Sequence, residues 1–97
     1  MTGGVPAAKV DCQIDTPRTR VTRYRLAPGA TTGAHRHEHD YVIVPVTSGP
    51  LRVVANGKEM LADLESGVSY ARSAGVEHEV FNAGSDEMVF VEVELKP

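Results

Sequence analysis

Turn signals interrupt this chain about every ten residues, which leaves little room for helices and favours a succession of short strands. The turns are Asp15-Thr16-Pro17, Pro28-Gly29, Thr47-Ser48-Gly49-Pro50, Asn56-Gly57, Leu64-Glu65-Ser66-Gly67, Ser73-Ala74-Gly75 and Ala83-Gly84-Ser85-Asp86. Between them lie Lys9–Ile14, Arg18–Ala27, Ala30–His37, Tyr41–Val46, Leu51–Ala55, Lys58–Leu64, Val68–Arg72, Val76–Asn82 and Glu87–Leu95. Many of these runs are rich in β-branched residues, which pack well on a pleated surface. Asn56-Gly57 is the strongest hairpin signal, because both residues tolerate the positive φ of a tight two-residue turn. Lys58–Leu64 has helix-forming residues, but it is short and follows that turn. The pattern predicts an all-β fold, a small antiparallel β-barrel or double-sheet jelly roll.

Within that frame, Tyr41–Val46 is apolar on both faces and is expected to be buried on both sides. Pro45 cannot donate to a ladder, so its position is expected near an edge or a bulge. Val89, Val91, Val93 and Leu95 fall on one face of the last strand. The 97 residues suffice for one domain, divided here into a flexible N-terminal arm (1–8) and a single domain (9–97).

A net charge of −3 and a pI near 5.7 argue against a nucleic-acid partner, which calls for a basic face. Tryptophan is absent, so stacking platforms for single strands are unsupported. No apolar span long enough for a membrane and no secretory signal is visible, and the single Cys12 cannot form an internal disulfide. These features predict a cytoplasmic protein with Cys12 as a small buried strand residue. Arg18, Arg20, Arg23, Arg25 and Arg36 come early, while Glu77, Glu79, Asp86, Glu87, Glu92 and Glu94 come late. Pairing of opposite charges across the sheet surface explains that split. The other reading is that one arginine faces inward and binds an anionic substrate.

Three of the four histidines fall in His35-Arg36-His37-Glu38-His39. On an extended strand, His35 and His37 share a face. Neutral imidazoles so placed suit a divalent transition metal, and His78 would have to join them to close the site. The plain alternatives are a solvated pair on an exposed strand and a structural His78. His39 is expected on a surface bend, Asp40 in a turn, and Asn82 as the tie of a turn.

Gly29, His35, His37 and Gly49 are followed by Gly67, Gly75, His78 and Asn82. The spacing of these two sets resembles the paired motifs of the cupin superfamily, over roughly residues 18–95. The first motif's glutamate is absent, and its place falls on Tyr41 or Val42. The resemblance implies a metal held by His35, His37 and His78 with open positions, as in cupin-like thiol dioxygenases, which manage without that glutamate. Such a metal would be Fe, Ni, Zn, Mn or Cu. Tyr41 is the candidate catalytic residue, able, if it faces the cavity, to hydrogen-bond a metal-bound ligand, donate a proton or ligate; plain core packing is its alternative. His-Arg-His-Glu-His-Asp-Tyr-Val-Ile-Val-Pro and Ala-Gly-Val-Glu-His-Glu-Val-Phe-Asn are similar to a narrower group, the small BauB-type cupins of β-alanine degradation. The group implies a small carboxylate-bearing substrate and amino-acid catabolism; a non-enzymatic barrel that senses a ligand through its metal is the alternative. A homodimer is expected, because Val42, Val44 and Val46 are apolar opposite the metal face.

Overall fold

A computed structural model describes residues 4–97. Nine strands form two antiparallel sheets: β1 (Lys9–Asp15), β2 (Thr19–Leu26), β3 (His35–Arg36), β4 (Asp40–Pro45), β5 (Gly49–Ala55), β6 (Lys58–Leu64), β7 (Tyr70–Arg72), β8 (Glu77–Asn82) and β9 (Met88–Leu95). One sheet has the order β1-β2-β9-β4-β7 and the other β3-β8-β5-β6. The chain changes sheet at every step from β2 to β5 and again at every step from β6 to β9. This is the double-sheet jelly roll expected from the turn spacing.

The core lies between the sheets, around Leu26, Ile43, Leu51, Val80, Met88 and Phe90. At Asn56-Gly57, φ is 54° and 72°, as a mirror-image two-residue turn requires, and it sets the β5–β6 register from Ala55 opposite Lys58. Asn82 is 2% exposed. Its Nδ2 donates to the carbonyls of Leu26 (3.0 Å) and Asp86 (2.8 Å), and its Oδ1 accepts from the Gly84 N–H (2.9 Å). It therefore ties the β8–β9 turn to the end of β2, the tying role expected of it.

Several strand-level expectations need correction. Ala30–His37 is not one strand: Thr31 makes isolated bridges, Gly33 takes φ 77°, and regular pairing is confined to His35–Arg36. On β4, Tyr41, Ile43 and Pro45 are buried, but Val42 and Val44 are only half-buried and Val46 is 51% exposed. The outer face of that sheet has no second layer in this chain, so only one side is covered. Cys12 is exposed, because every residue of the edge strand β1 is. Pro45 does lie where only β9 is paired, beyond the last β4–β7 partner, Ile43. Of the segment 1–8, Met1, Thr2 and Gly3 fall outside the described residues. Pro6 and Ala8 exchange backbone hydrogen bonds with Thr31 at 2.9 and 2.8 Å.

Asn82→Asp is isosteric but cannot donate from its carboxylate. It should lower unfolding free energy by about 2–4 kcal/mol, read as a lower urea midpoint at unchanged slope. An unchanged midpoint would remove Asn82 from this role.

Candidate metal centre

The site begins with a backbone clamp. The short strand β3 pairs with the start of β8, which sets His35 directly opposite His78. One residue beyond β3, the His37 N–H donates to the Val76 carbonyl (2.9 Å) and its own carbonyl accepts from the Gly75 N–H (2.8 Å). Gly75 takes φ 95°, a conformation that side-chain-bearing residues rarely adopt. The clamp carries the third imidazole to the other two across more than forty residues of sequence.

The three rings meet edge to face, with interplanar angles of 74–85°. The His37 Nε2 lies 2.9 Å from the His35 Nε2 and 3.0 Å from the His78 Nε2. Together the three residues form a group able to hold a metal ion, with donor atoms within 4.8 Å of one another. Lone pairs facing each other this closely repel unless a proton or cation lies between them. With metal–nitrogen bonds of about 2.1 Å, a right angle at the metal separates two nitrogens by about 3.0 Å and a tetrahedral angle by about 3.4 Å. The two separations from the His37 Nε2 fit the right angle.

Protonation favours the same role. Burial, reinforced by the neighbouring imidazoles, pushes His37 down to about 4, and burial beside His35 does the same to His78. Both are neutral at pH 7 and present a lone pair. The His35 Nδ1 lies 2.8 Å from the Gly33 carbonyl. That carbonyl can only accept, so Nδ1 carries the proton and Nε2 is left free.

Other groups brace the cluster. Tyr41 is 2% exposed and stacks on His37, with centroids 3.8 Å apart and planes at 21°. It arrives from β4 in the opposite sheet, after the chain bends at Glu38-His39. Burial, then the nearby Glu92, pushes its hydroxyl up to about 12, so the hydroxyl keeps its proton at neutral pH. The Asp40 Oδ1 accepts from the Ala74 N–H (2.8 Å), which fastens the same Ser73–Gly75 turn. His39 is half-buried and lies outside the cluster.

Sequence reasoning treated Glu92 and Glu94 as surface charges, and both are buried. β9 alternates valines on the outer face with Met88, Phe90, Glu92 and Glu94 on the inner one. The alternation was legible; which face turned inward was not, because the valines read as the better core. A Glu92 oxygen lies 3.6 Å from the His37 Nδ1, and the Tyr24 hydroxyl donates to its other oxygen (3.4 Å). Burial and the adjacent Glu94 push the Glu92 carboxyl up to about 7. Glu94 is gripped by Arg20 through two contacts, Nε–Oε2 at 2.5 Å and Nη2–Oε1 at 2.8 Å, which hold its carboxyl below the usual range. One early arginine thus does face inward, but onto a carboxylate of the protein itself.

Besides a pocket beside Asn56, Glu77 and Glu79 that touches His35 and His78, two chambers meet at the histidines. One, of about 270 Å³, has mainly apolar and aromatic walls and includes all three imidazoles, Tyr41 and Arg72. The other, of about 410 Å³, is polar, with Arg20, Thr22, Arg36, Glu38 and Glu94 in its walls. His35, His37, Tyr24, Thr32 and Glu92 belong to both.

Two antiparallel sheets enclosing a histidine cluster between their inner faces define a double-stranded β-helix protein with a candidate metal centre. Residues 22–94 match the cupin domain family, and the chain belongs to it. It is 50% identical over 93 residues to the β-alanine degradation protein BauB of Pseudomonas aeruginosa, covering 96% of this chain and 98% of that one. It is 46% identical, at TM-score 0.95, to the crystal structure of a cupin domain from Bordetella pertussis, covering 99% and 100% of the two chains. An RmlC-like cupin family protein with a double-stranded β-helix fold from Methanocaldococcus jannaschii shares the fold at TM-score 0.79 and 15% identity, over 92% and 80% of the two chains.

Arg20→Gln strands the buried Glu94 carboxylate and should destabilise the protein by about 1–2 kcal/mol at neutral pH, discounted for the part-exposed arginine. Because Glu94 is held below its ordinary value, the pair's contribution is present at neutral pH. It is lost as pH falls through that depressed value, so the gap between the two proteins should narrow in acid. Denaturant melts of both proteins from pH 7 to pH 3 check this.

Proposed function

We propose that His35, His37 and His78 hold one divalent transition metal, and that the protein is a metal-dependent enzyme acting on a small carboxylate-bearing metabolite. The single observation that carries this reading is the convergence of three imidazole Nε2 atoms with two separations of 2.9 and 3.0 Å. When bound, the metal would supply Lewis-acid or redox chemistry at positions the protein leaves open, a form associated with catalytic rather than closed structural sites.

The chain's own residues do the rest. Gly33 fixes the tautomer of His35 through its carbonyl, Glu92 faces the Nδ1 of His37, and Tyr41 holds the His37 ring in plane by stacking. With its proton retained, the Tyr41 hydroxyl is suited to donate toward a bound ligand, which is the catalytic role we assign it. The apolar chamber excludes bulk water from one side of the site. The relation to BauB supports a place in β-alanine or related amino-acid catabolism, and the reduced-cysteine reading supports a cytoplasmic setting. No helix among the described residues is long and apolar enough to cross a membrane.

A second reading, a barrel that senses a ligand through its metal without turnover, is favoured by one observation. Among the described residues, the apolar chamber has one wall carboxylate, Glu92, and it already faces His37 and Tyr24.

His78→Ala should abolish stoichiometric metal binding, measured by elemental analysis after metal loading and desalting, while the all-β circular dichroism spectrum persists. Retention of one metal per chain by a folded His78→Ala protein would remove the proposed centre. Under the sensing reading, metal-loaded protein binds carboxylates but leaves them chemically unchanged.

We further propose a homodimer built on the outer face of the five-stranded sheet. Val42 lies beside Val93 and Val44 beside Val91, with Val21 extending the row onto β2. The chain exposes 5945 Å², against about 5400 Å² for a compact monomer of its mass. That excess is what a subunit with an uncovered sheet face would show. Sedimentation should report about twice the 10.4 kDa chain mass, and Val91→Glu should give the monomer. A wild-type monomer at tens of micromolar would exclude this pairing.

A further inference from the structure

We propose that the apolar chamber selects a small monocarboxylate with an apolar body, anchored by Arg72, and discriminates against zwitterionic amino acids. The inference rests on the metal reading only for what happens at the ligand's other end.

Arg72 stands on β7 directly across from Tyr41, the residue stacked on His37. It lines the chamber from its exposed end, with its guanidinium 4.6 Å from the centroid of the Tyr70 ring. Its Nη1 donates to the Ala71 carbonyl at 2.9 Å, which steadies the side chain and leaves its other donors available. Arg20, Arg23, Arg25, Arg36 and Arg52 each have a carboxylate partner; of the two without one among the described residues, Arg18 and Arg72, it is Arg72 that lines the chamber. A guanidinium at the mouth of an apolar cavity is suited to a carboxylate, which it can meet with two parallel hydrogen bonds.

The walls make the complementary argument. Ile43, Val53, Val76, Val80 and Phe90 offer an ammonium group nothing to hydrogen-bond. Glu92, the one wall carboxylate among the described residues, already accepts from Tyr24 and lies 3.6 Å from the His37 Nδ1. An ammonium buried there would meet hydroxyls and imidazoles but no free carboxylate to offset its lost hydration. The 270 Å³ of the chamber equals roughly nine water volumes, which sets the ligand's size at that of a short-chain or small cyclic acid. A reaction that removes or masks the amino group must therefore precede this protein if its ligand derives from an amino acid.

The molecule carries its own reporter. It has no tryptophan and three tyrosines, and Tyr24, Tyr41 and Tyr70 all line this chamber. Tyrosine emission should change saturably on titration with hexanoate. Hexanamide and 6-aminohexanoate, of similar body but neutral or zwitterionic, should bind at least about tenfold more weakly. Arg72→Gln should erase the preference for acid over amide, and Arg72→Lys should keep part of it. The inference is overturned if hexanoate gives no saturable change, if either analogue matches it, or if Arg72→Gln keeps the preference. Should Arg72→Gln fail to fold, Arg72→Lys and the three ligands still decide the matter. Metal content of the same samples separates the two proposals. A metal-free protein that binds hexanoate through Arg72 loses the metal reading alone, and a metal-loaded protein indifferent to carboxylates loses this inference alone.

Discussion

The site depends on the backbone clamp between the His35–His37 stretch and the Gly75–His78 stretch. Two cross-strand pairs and two further backbone hydrogen bonds hold these segments together. Without them, His78 would be an ordinary half-buried residue of β8 and the other two imidazoles an exposed pair. The clamp needs a residue at position 75 that tolerates φ 95°, and Asp40 fastens the same turn from the far side. Regular structure is brief here, so side-chain and turn chemistry supply the rigidity that a long strand would otherwise give.

Around the clamp, the two sheets divide the work. The sheet of β3, β8, β5 and β6 contributes His35 and His78. The sheet of β1, β2, β9, β4 and β7 contributes Tyr41, Glu92, the Arg20–Glu94 pair and Arg72. Imidazoles thus face a wall of aromatic rings and restrained carboxylates. The burial that lowers His37 and His78 also raises Glu92, and Arg20 keeps Glu94 ionised beside it. Opposite shifts keep the His37 and His78 imidazoles neutral without gathering unpaired charge inside a small core.

The strand succession, the Asn56-Gly57 hairpin, the two-motif histidine set and the tie made by Asn82 were all legible in the sequence. Each rests on local chemistry: turn residues, β-branched runs and fixed spacings. What was not legible depends on the third dimension. Period-two alternation in β9 separates valines from glutamates but does not say which set faces the core. Cys12 read as buried because free cysteine usually is, whereas an edge strand with nothing packed on it leaves it exposed. The bend between the histidine stretch and Tyr41–Val46 was legible, but not that it would bring Tyr41 in from the opposite sheet to stack on His37.

The central claim is that three imidazoles, one from β3, one from the residue just past it and one from β8, share one metal ion. Anomalous diffraction from crystals of the metal-loaded protein, collected above and below the metal's absorption edge, tests it directly. The account predicts a single peak within about 2.3 Å of the Nε2 atoms of His35, His37 and His78. No peak there, or a peak whose ligands are His39 or surface carboxylates, would contradict it.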